Sequence, residues 1–387
     1  MYNIKLFNNI AQEGLDQFND KYTVSEAVEN PQGIVVRSAN LFEIDYNPEL
    51  KAIARAGAGV NNIDIPTCTD KGIVVFNTPG ANANAVKELV FAGLLMASRD
   101  IYHGMEWVKS EGKNPDLPKL VEKRKKRYAG NELAGKKLGV IGCGAIGVQV
   151  ANLALRFGME VHGYDPYMSI DAAWNLSRYV KHENTIDDIF KNCDFITLHI
   201  PMNDQTKNTI NKDSISKMKD GVKILNFARG GLVNDDDILE ALDSGKIGFY
   251  VTDFPNDKVS LHPNVAAIPH LGASTEESEI NCAVKAAQEI KDYLENGNIT
   301  NSVNLPNASM AFEGPFRICV IHKNVPKMIS QITDMLSSEN ANIENLLNKS
   351  KKEIAYTMVD LDQKVSDAAL EAIQNIENVV RVMTYTK

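Results

Sequence analysis

The run Gly142-Cys143-Gly144-Ala145-Ile146-Gly147 has the spacing G-x-G-x-x-G, and an acid, Asp165, closes the next apolar segment. Such a run suits a dinucleotide. Gly142 permits a tight turn, Gly144 leaves no Cβ between backbone and pyrophosphate, and Gly147 lets a helix pack closely on a strand. The amino end of the helix that starts at Ala145 and Ile146 would offer unpaired N–H groups to the phosphates. Asp165 can accept both ribose hydroxyls, and Pro166, Tyr167 and Met168 supply no cation for a 2′-phosphate, so the cofactor expected is NAD rather than NADP. Arg229, Asp253 and His270 are a second set: a cation to hold an anion, an acid, and an imidazole able to move a proton.

The elements that must position these groups follow from the pattern. Lys137–Ile141 and Glu160–Tyr164 read as buried strands flanking a helix with Ile146, Val150, Leu153 and Phe157 at helical spacing. Further strands at 194–199, 221–226, 248–253 and 265–268 deliver His199 with Pro201 and Thr206, Ala228 with Arg229, Asp253, and His270 with Gly272 to one carboxyl edge. Ligands of open α/β sheets gather at that edge. Residues 1–93 repeat the βα pattern with strands at 3–7, 33–36, 51–54 and 72–76. Arg37 and Ser38 follow the second of these, and Arg55, Gly57, Ala58 and Gly59 follow the third. Two arginines beside a glycine-rich turn suit a carboxylate or phosphate, although solvated surface arginines would look the same. A long helix after Asn82 is expected to cross to the next domain. Residues 109–135 are polar, with a cationic run from Lys119 to Arg127 that is either solvated or reaches a substrate phosphate from this or a neighbouring subunit.

Composition bounds the rest. The chain has 387 residues, enough for two or three domains with sizeable cores. A net charge of −9 argues against nucleic acid as a partner. No apolar run approaches the ~18 residues of a membrane span, and the start lacks the build of a secretion signal, so a cytoplasmic location is expected. Five scattered cysteines give neither a disulfide framework nor metal spacing, and no metal is expected.

VRSA (36–39), ARAGAGVNNID (54–64), NTPG (77–80), LGVIGCGAIG (138–147), LHIP (198–201), NFARGGLV (226–233) and PHLGAST (269–275) span most of the chain. On these segments the sequence resembles the D-isomer-specific 2-hydroxyacid dehydrogenases. ARAGAGVNNID and the C-terminal segment favour members that oxidise 3-phosphoglycerate. The resemblance implies that His270 takes the hydroxyl proton while a hydride leaves C2, and that Arg229 holds the carboxylate and the C2 oxygen. Gly57 to Gly59 and Asn82 would also hold substrate, with Arg37, Arg55 and Ser38 on the 3-phosphate. Asp253 would bind the nicotinamide carboxamide, and His199, Pro201 and Thr206 would line the adenosine side. The family's glutamate that pairs with the histidine has no counterpart at its usual spacing; Asp257, in Asp253-Phe254-Pro255-Asn256-Asp257, stands nearest.

Beyond a linker at 306–315, the order βαββαβ resembles an ACT domain, which implies L-serine as effector at His322, Asn324 and Asn342, with Lys327 replacing a glycine; a plain dimerisation module is the other reading. The expected architecture is therefore a flavodoxin-like substrate domain (1–93 with 288–306), a Rossmann-type NAD-binding domain (94–287) and an ACT-like domain (315–387), self-associated as a dimer or tetramer. Two other functions fit the same residues: a dehydrogenase for an unphosphorylated D-2-hydroxy acid, and a non-catalytic NAD-responsive binding protein.

Overall fold

The computed structural model describes residues 1–387, which form two compact units, 82–275 and the remainder. The remainder begins with a five-stranded parallel sheet: β1 (Tyr2–Phe7), β2 (Tyr22–Ser25), β3 (Gly33–Val36), β4 (Ala52–Arg55) and β5 (Val74–Asn77). The order β2-β1-β3-β4-β5 is flavodoxin-like, and the switch in strand direction of travel falls between β1 and β3. The central strands β3 and β4 are buried almost throughout, which is why they read as short apolar runs. β2 was not among the expected strands. Only Tyr22 of its Tyr-Thr-Val-Ser is buried at this sheet edge, so it lacks the apolar run of its neighbours.

Residues 82–275 carry seven parallel strands: β6 (Lys137–Ile141), β7 (Glu160–Tyr164), β8 (Lys181–His182), β9 (Phe195–Leu198), β10 (Val222–Asn226), β11 (Ile247–Thr252) and β12 (Val265–Ala267). Their order, β12-β11-β10-β9-β6-β7-β8, is the doubly wound arrangement with one strand added. The helix Ala83–Ser98 lies wholly in this unit, with Gly93 tight against Phe227 and Leu225. The expected boundary at 93/94 therefore falls inside a helix; the chain changes unit at 81/82 and again at 275/276. The stretch 109–135, read as polar, follows on from the helix Ile101–Ser110 and holds the helix Leu117–Arg124 and a 3₁₀ turn, Lys125–Tyr128. None of their residues is buried, so no core signal announced them. No helix is long and apolar enough to cross a membrane.

From Glu276 the chain rejoins the first sheet through the helix Glu276–Asn296, whose Ile290, Tyr293 and Leu294 enter that core. It ends in an antiparallel sheet of β13 (Phe316–Lys323), β14 (Ile343–Lys351), β15 (Ile354–Leu361) and β16 (Val379–Thr386), in the order β14-β15-β13-β16. One face of this sheet packs on the helices Met328–Ser338 and Asp367–Gln374. The other face, through Cys319, Ile321, Tyr356 and Met383, shares a core with the first sheet, so the ACT-like segment is built into the flavodoxin-like unit. Polar ties seal that joint. Arg381 donates to the carbonyls of Leu50 and Pro48 at 2.5 and 3.1 Å, and the Tyr356 hydroxyl donates to that of Gly297 at 2.7 Å.

Candidate active site

The glycine loop adopts the geometry its spacing predicts. Gly142 sits at φ +93°, and a Cβ there would lie 2.6 Å from the His199 carbonyl oxygen at the end of β9. A Cβ on Gly147 would fall 1.9 Å from the Gly142 oxygen, so only glycine lets the helix Ala145–Arg156 start against β6. A Cβ on Gly144 would meet nothing within 4 Å; that position faces open space. Asp165 is locked by two amides: Oδ2 accepts from Cys143 at 2.9 Å and Oδ1 from Tyr167 at 2.8 Å. Each oxygen keeps a lone pair for a ribose hydroxyl.

On the β9 side, His199 accepts or donates through Nε2 to the Thr197 hydroxyl at 3.0 Å, while Nδ1 is buried with no partner. Burial pushes its pKa down to about 3, so the ring is neutral at physiological pH. The Thr206 hydroxyl donates to the Pro201 carbonyl at 2.6 Å and closes the loop between them.

At the ends of β10, β11 and β12 the second set assembles. Asp253 is fully buried; Oδ2 accepts the Gly272 amide at 3.2 Å, and Oδ1 has no partner. Burial raises its pKa; the charge of His270, the backbone amides and, last, the charge of Arg229 pull the other way. The His270 ring is exposed and lies 4.8 Å from the Phe254 ring, tilted by 54°. The Arg229 guanidinium is also exposed and donates to the Ala228 carbonyl at 2.7 Å. Asn226 organises this turn, accepting from the Ala228 amide and donating to the Arg229 carbonyl. Asp257 is not brought to this group: it is exposed, beside Lys258, and no ion pair or hydrogen bond joins it to His270. Asp253 and His270 follow neighbouring strands, β11 and β12, and their charges interact.

In the other unit, Arg37 and Arg55 are neighbours at the carboxyl edge beside the β1/β3 switch. Arg55 Nε donates to the Arg37 carbonyl at 3.0 Å, and Arg37 pairs with Glu279 on the helix Glu276–Asn296. Gly57, at φ +144°, lies under the Arg55 guanidinium, where a Cβ would be 1.8 Å from Nη1. The Ala58 carbonyl accepts from Asn77 at 2.7 Å, which fixes the turn that runs on to Gly59. Ser38 shares its turn with Asn8, whose side chain accepts the amides of Arg37, Ser38 and Ala39 at 3.4, 2.9 and 2.7 Å. Sequence reasoning missed Asn8 and Glu279. The signal for Asn8 was an asparagine at a strand end, a residue that tolerates its φ of +73°. Asn82 lies in the nucleotide-loop unit, at the start of the helix Ala83–Ser98, with no side-chain cap bond.

The expected effector residues are engaged internally. His322 is 2% exposed, with Nδ1 on the Lys323 carbonyl at 2.8 Å and Nε2 on the Thr357 hydroxyl at 2.9 Å. Asn324 donates to the Lys352 carbonyl at 3.1 Å, and the Asn342 amide donates to Asp362 at 2.9 Å. Lys327 stands at φ +69°, where the family's glycine would be unstrained.

Residues 91–272 match the NAD-binding domain of the D-isomer-specific 2-hydroxyacid dehydrogenases. The hydroxypyruvate reductase of Thermotoga maritima is 37% identical over 297 residues, 74% of this chain and 92% of that protein. The D-3-phosphoglycerate dehydrogenase of Haemophilus influenzae is 29% identical over 405 aligned residues, 97% of this chain and 95% of that protein. Of longer proteins bearing the same name, matched at 32% to 37% identity, the chain spans only a little over half, 55% to 57%. Among solved structures, the NAD⁺-bound 3-phosphoglycerate dehydrogenase of Entamoeba histolytica superposes with a TM-score of 0.59 at 26% identity, covering 78% of this chain and 98% of that one. The nucleotide loop fits NAD on its own geometry: an open approach at Gly144, a carboxylate with spare lone pairs at Asp165, and an orphaned acceptor at Asp253. By sequence and by fold, the chain belongs to the D-isomer-specific 2-hydroxyacid dehydrogenase family.

Proposed function

We propose that the chain catalyses NAD-dependent oxidation of 3-phospho-D-glycerate to 3-phosphohydroxypyruvate. The observation that carries the reading is the pairing of Arg37 with Arg55 at a ligand-collecting sheet edge, since an unphosphorylated hydroxy acid has no second anion for them. The near full-length likeness to a relative named for this activity supports it.

Each residue then has a task. Gly142, Gly144 and Gly147, with the amides of Ala145 and Ile146, would hold the pyrophosphate; Asp165 would hold the ribose, and His199, Pro201 and Thr206 the adenosine side. The orphaned Asp253 oxygen would accept the carboxamide N–H, with Gly272 and Ala228 shaping the same edge. When bound, NAD supplies the acceptor for the hydride. His270 takes the proton of the C2 hydroxyl as the C2–H bond breaks with its electron pair and the C=O bond forms. Arg229 holds the carboxylate and steadies charge on the C2 oxygen; its planar fork suits two oxygens at once. The family resemblance would further assign Gly57, Ala58, Gly59 and Asn82 to the carboxylate, and Ser38 with Arg37 and Arg55 to the phosphate. To reach it Arg37 must leave Glu279. Both side chains are about two-fifths exposed, so releasing that pair costs little.

Self-association belongs to the same proposal, supported by the exposed apolar row Ile101, Met105 and Val108 on the helix Ile101–Ser110. L-serine is the effector this reading implies for the ACT-like sheet. The closing test is twofold. Arg55→Gln should raise KM for 3-phosphoglycerate at least tenfold and leave KM for D-lactate near its original value. Equal effects on both substrates would defeat the phosphate assignment. His270→Asn should cost about 10²–10⁴ in kcat, the usual worth of a general base, with KM little changed; unchanged turnover would remove the proton acceptor.

A further inference from the structure

A cavity of about 480 Å³ opens at the seam where the ACT-like sheet meets the flavodoxin-like sheet, within one compact unit. Its polar lining is dominated by Lys323, Lys351 and Lys352, and its apolar lining includes Pro66, Val303 and Ile354. We propose that this cavity is a binding site for a small oxyanion, a carboxylate or phosphate on a short apolar stem. The inference does not depend on the substrate reading above.

The state of each lysine supports it. Lys351 spends two N–H donors on the carbonyls of Ser302 and Val303, at 3.0 and 2.9 Å, and an ammonium has a third to give. Lys352 makes no hydrogen bond or ion pair through its ammonium. Lys323 lies 3.7 Å from Asp70, a loose pair with the acid largely in solvent. Asp70 and Glu353 are the acids that share the lining, so three cations face two carboxylates and the surplus is positive. Desolvation, and the charge of Lys352 beside it, press the Lys351 pKa down, a strain that an anion would relieve.

The backbone is arranged to produce this cluster. Consecutive side chains of a strand point to opposite faces, yet Lys351 and Lys352 line one cavity. Lys352 stands at φ +55° in the two-residue turn between β14 and β15, which breaks the strand alternation and brings its side chain to the same cavity. An occupant would also be felt beyond the cavity. Lys351 clamps the 302–303 segment, which runs along β5: the Val303 amide donates to Val75 and Asn304 accepts the Val75 amide, both at 2.9 Å. Anion binding would thus tighten the attachment of the ACT-like sheet to the sheet that carries Arg55.

The test is calorimetric titration of the full chain with inorganic phosphate and, separately, propionate, at constant ionic strength against chloride. A binding component should be lost in Lys351→Met, weakened at least fivefold in Lys352→Gln, and retained in Arg55→Gln; whichever probe binds tighter identifies the oxyanion. Lys352 is exposed, so its variant reports even if Lys351→Met does not fold. A component untouched by Lys352→Gln, or one that disappears only with Arg55→Gln, would place the anion elsewhere and overturn the proposal.

Discussion

Asp253 accepts the Gly272 amide on one carboxylate oxygen and holds the other buried and unpaired, beside His270 and Arg229. A buried acceptor without a hydrogen bond is costly unless a donor reaches it. The carboxamide of the nicotinamide is the donor this account assigns. Asp253→Asn keeps an acceptor for Gly272 and loses the carboxylate. A hydrogen bond to a charged group is worth about 1.5–3 kcal/mol, so KM for NAD should rise roughly ten- to a hundredfold. Initial-rate kinetics with varied NAD would show it, and an unchanged KM would remove Asp253 from the cofactor site.

Asp165 is held in place by the Cys143 and Tyr167 amides, so its charge is fixed where a ribose would sit. Asp165→Ser should weaken NAD and narrow the preference over NADP, because the repulsion against a 2′-phosphate is gone. The ratio of kcat/KM for the two cofactors reads this directly; a ratio that stays put would mean another group discriminates.

How much of this was written in the residue pattern differs from place to place. The glycine loop was legible because each glycine answers a steric demand, and the coordinates show those demands as 1.9 and 2.6 Å collisions. The carboxyl-edge residues Arg229, Asp253 and His270 were legible because each follows a buried apolar strand. The surroundings of Asp257 were not: it stands exposed beside Lys258, with no hydrogen bond or ion pair to His270. The internal partners of His322 were not legible, because its Nε2 meets the Thr357 hydroxyl of β15 from 35 residues away. The edge strand β2 and the helices over 101–124 carry little buried surface, so no core run marks them, although Ile101, Met105 and Val108 recur at helical spacing.

Arg317 and Asp360 form a fully buried two-pronged pair at 2.5 and 2.8 Å, and Arg317 also donates to the carbonyls of Asn296 and Ala311. Arg317→Met should destabilise the chain by about 3–5 kcal/mol, since it strands a buried carboxylate. Arg317→Met with Asp360→Leu should recover much of that loss. Urea unfolding of the two variants checks it. If the double variant is no more stable than the single one, the cost lies in packing and not in the orphaned charge.

Glu289 is 5% exposed; one oxygen takes the Asn301 amide at 2.6 Å and the other has no partner. Burial pushes its carboxyl up to about 7, with the Asn301 bond and Lys285 pulling the other way. A folded-state pKa above the unfolded value of 4.5 means that folding favours the protonated acid. Its contribution is complete below that lower value and fades as pH rises through about 7. Relative to Glu289→Gln, the wild type should therefore lose stability between about pH 5 and pH 8, by on the order of 2–3 kcal/mol. Parallel stability curves for the two proteins would contradict the assignment.

The central claim, that the site is built for a hydroxy acid carrying a phosphate, is tested most directly by NADH absorbance with the wild-type chain. With saturating NAD, kcat/KM for 3-phospho-D-glycerate should exceed that for D-lactate by at least about a hundredfold, the worth of about 2–3 kcal/mol from a charge-assisted phosphate contact. Equal or greater efficiency with D-lactate would contradict it.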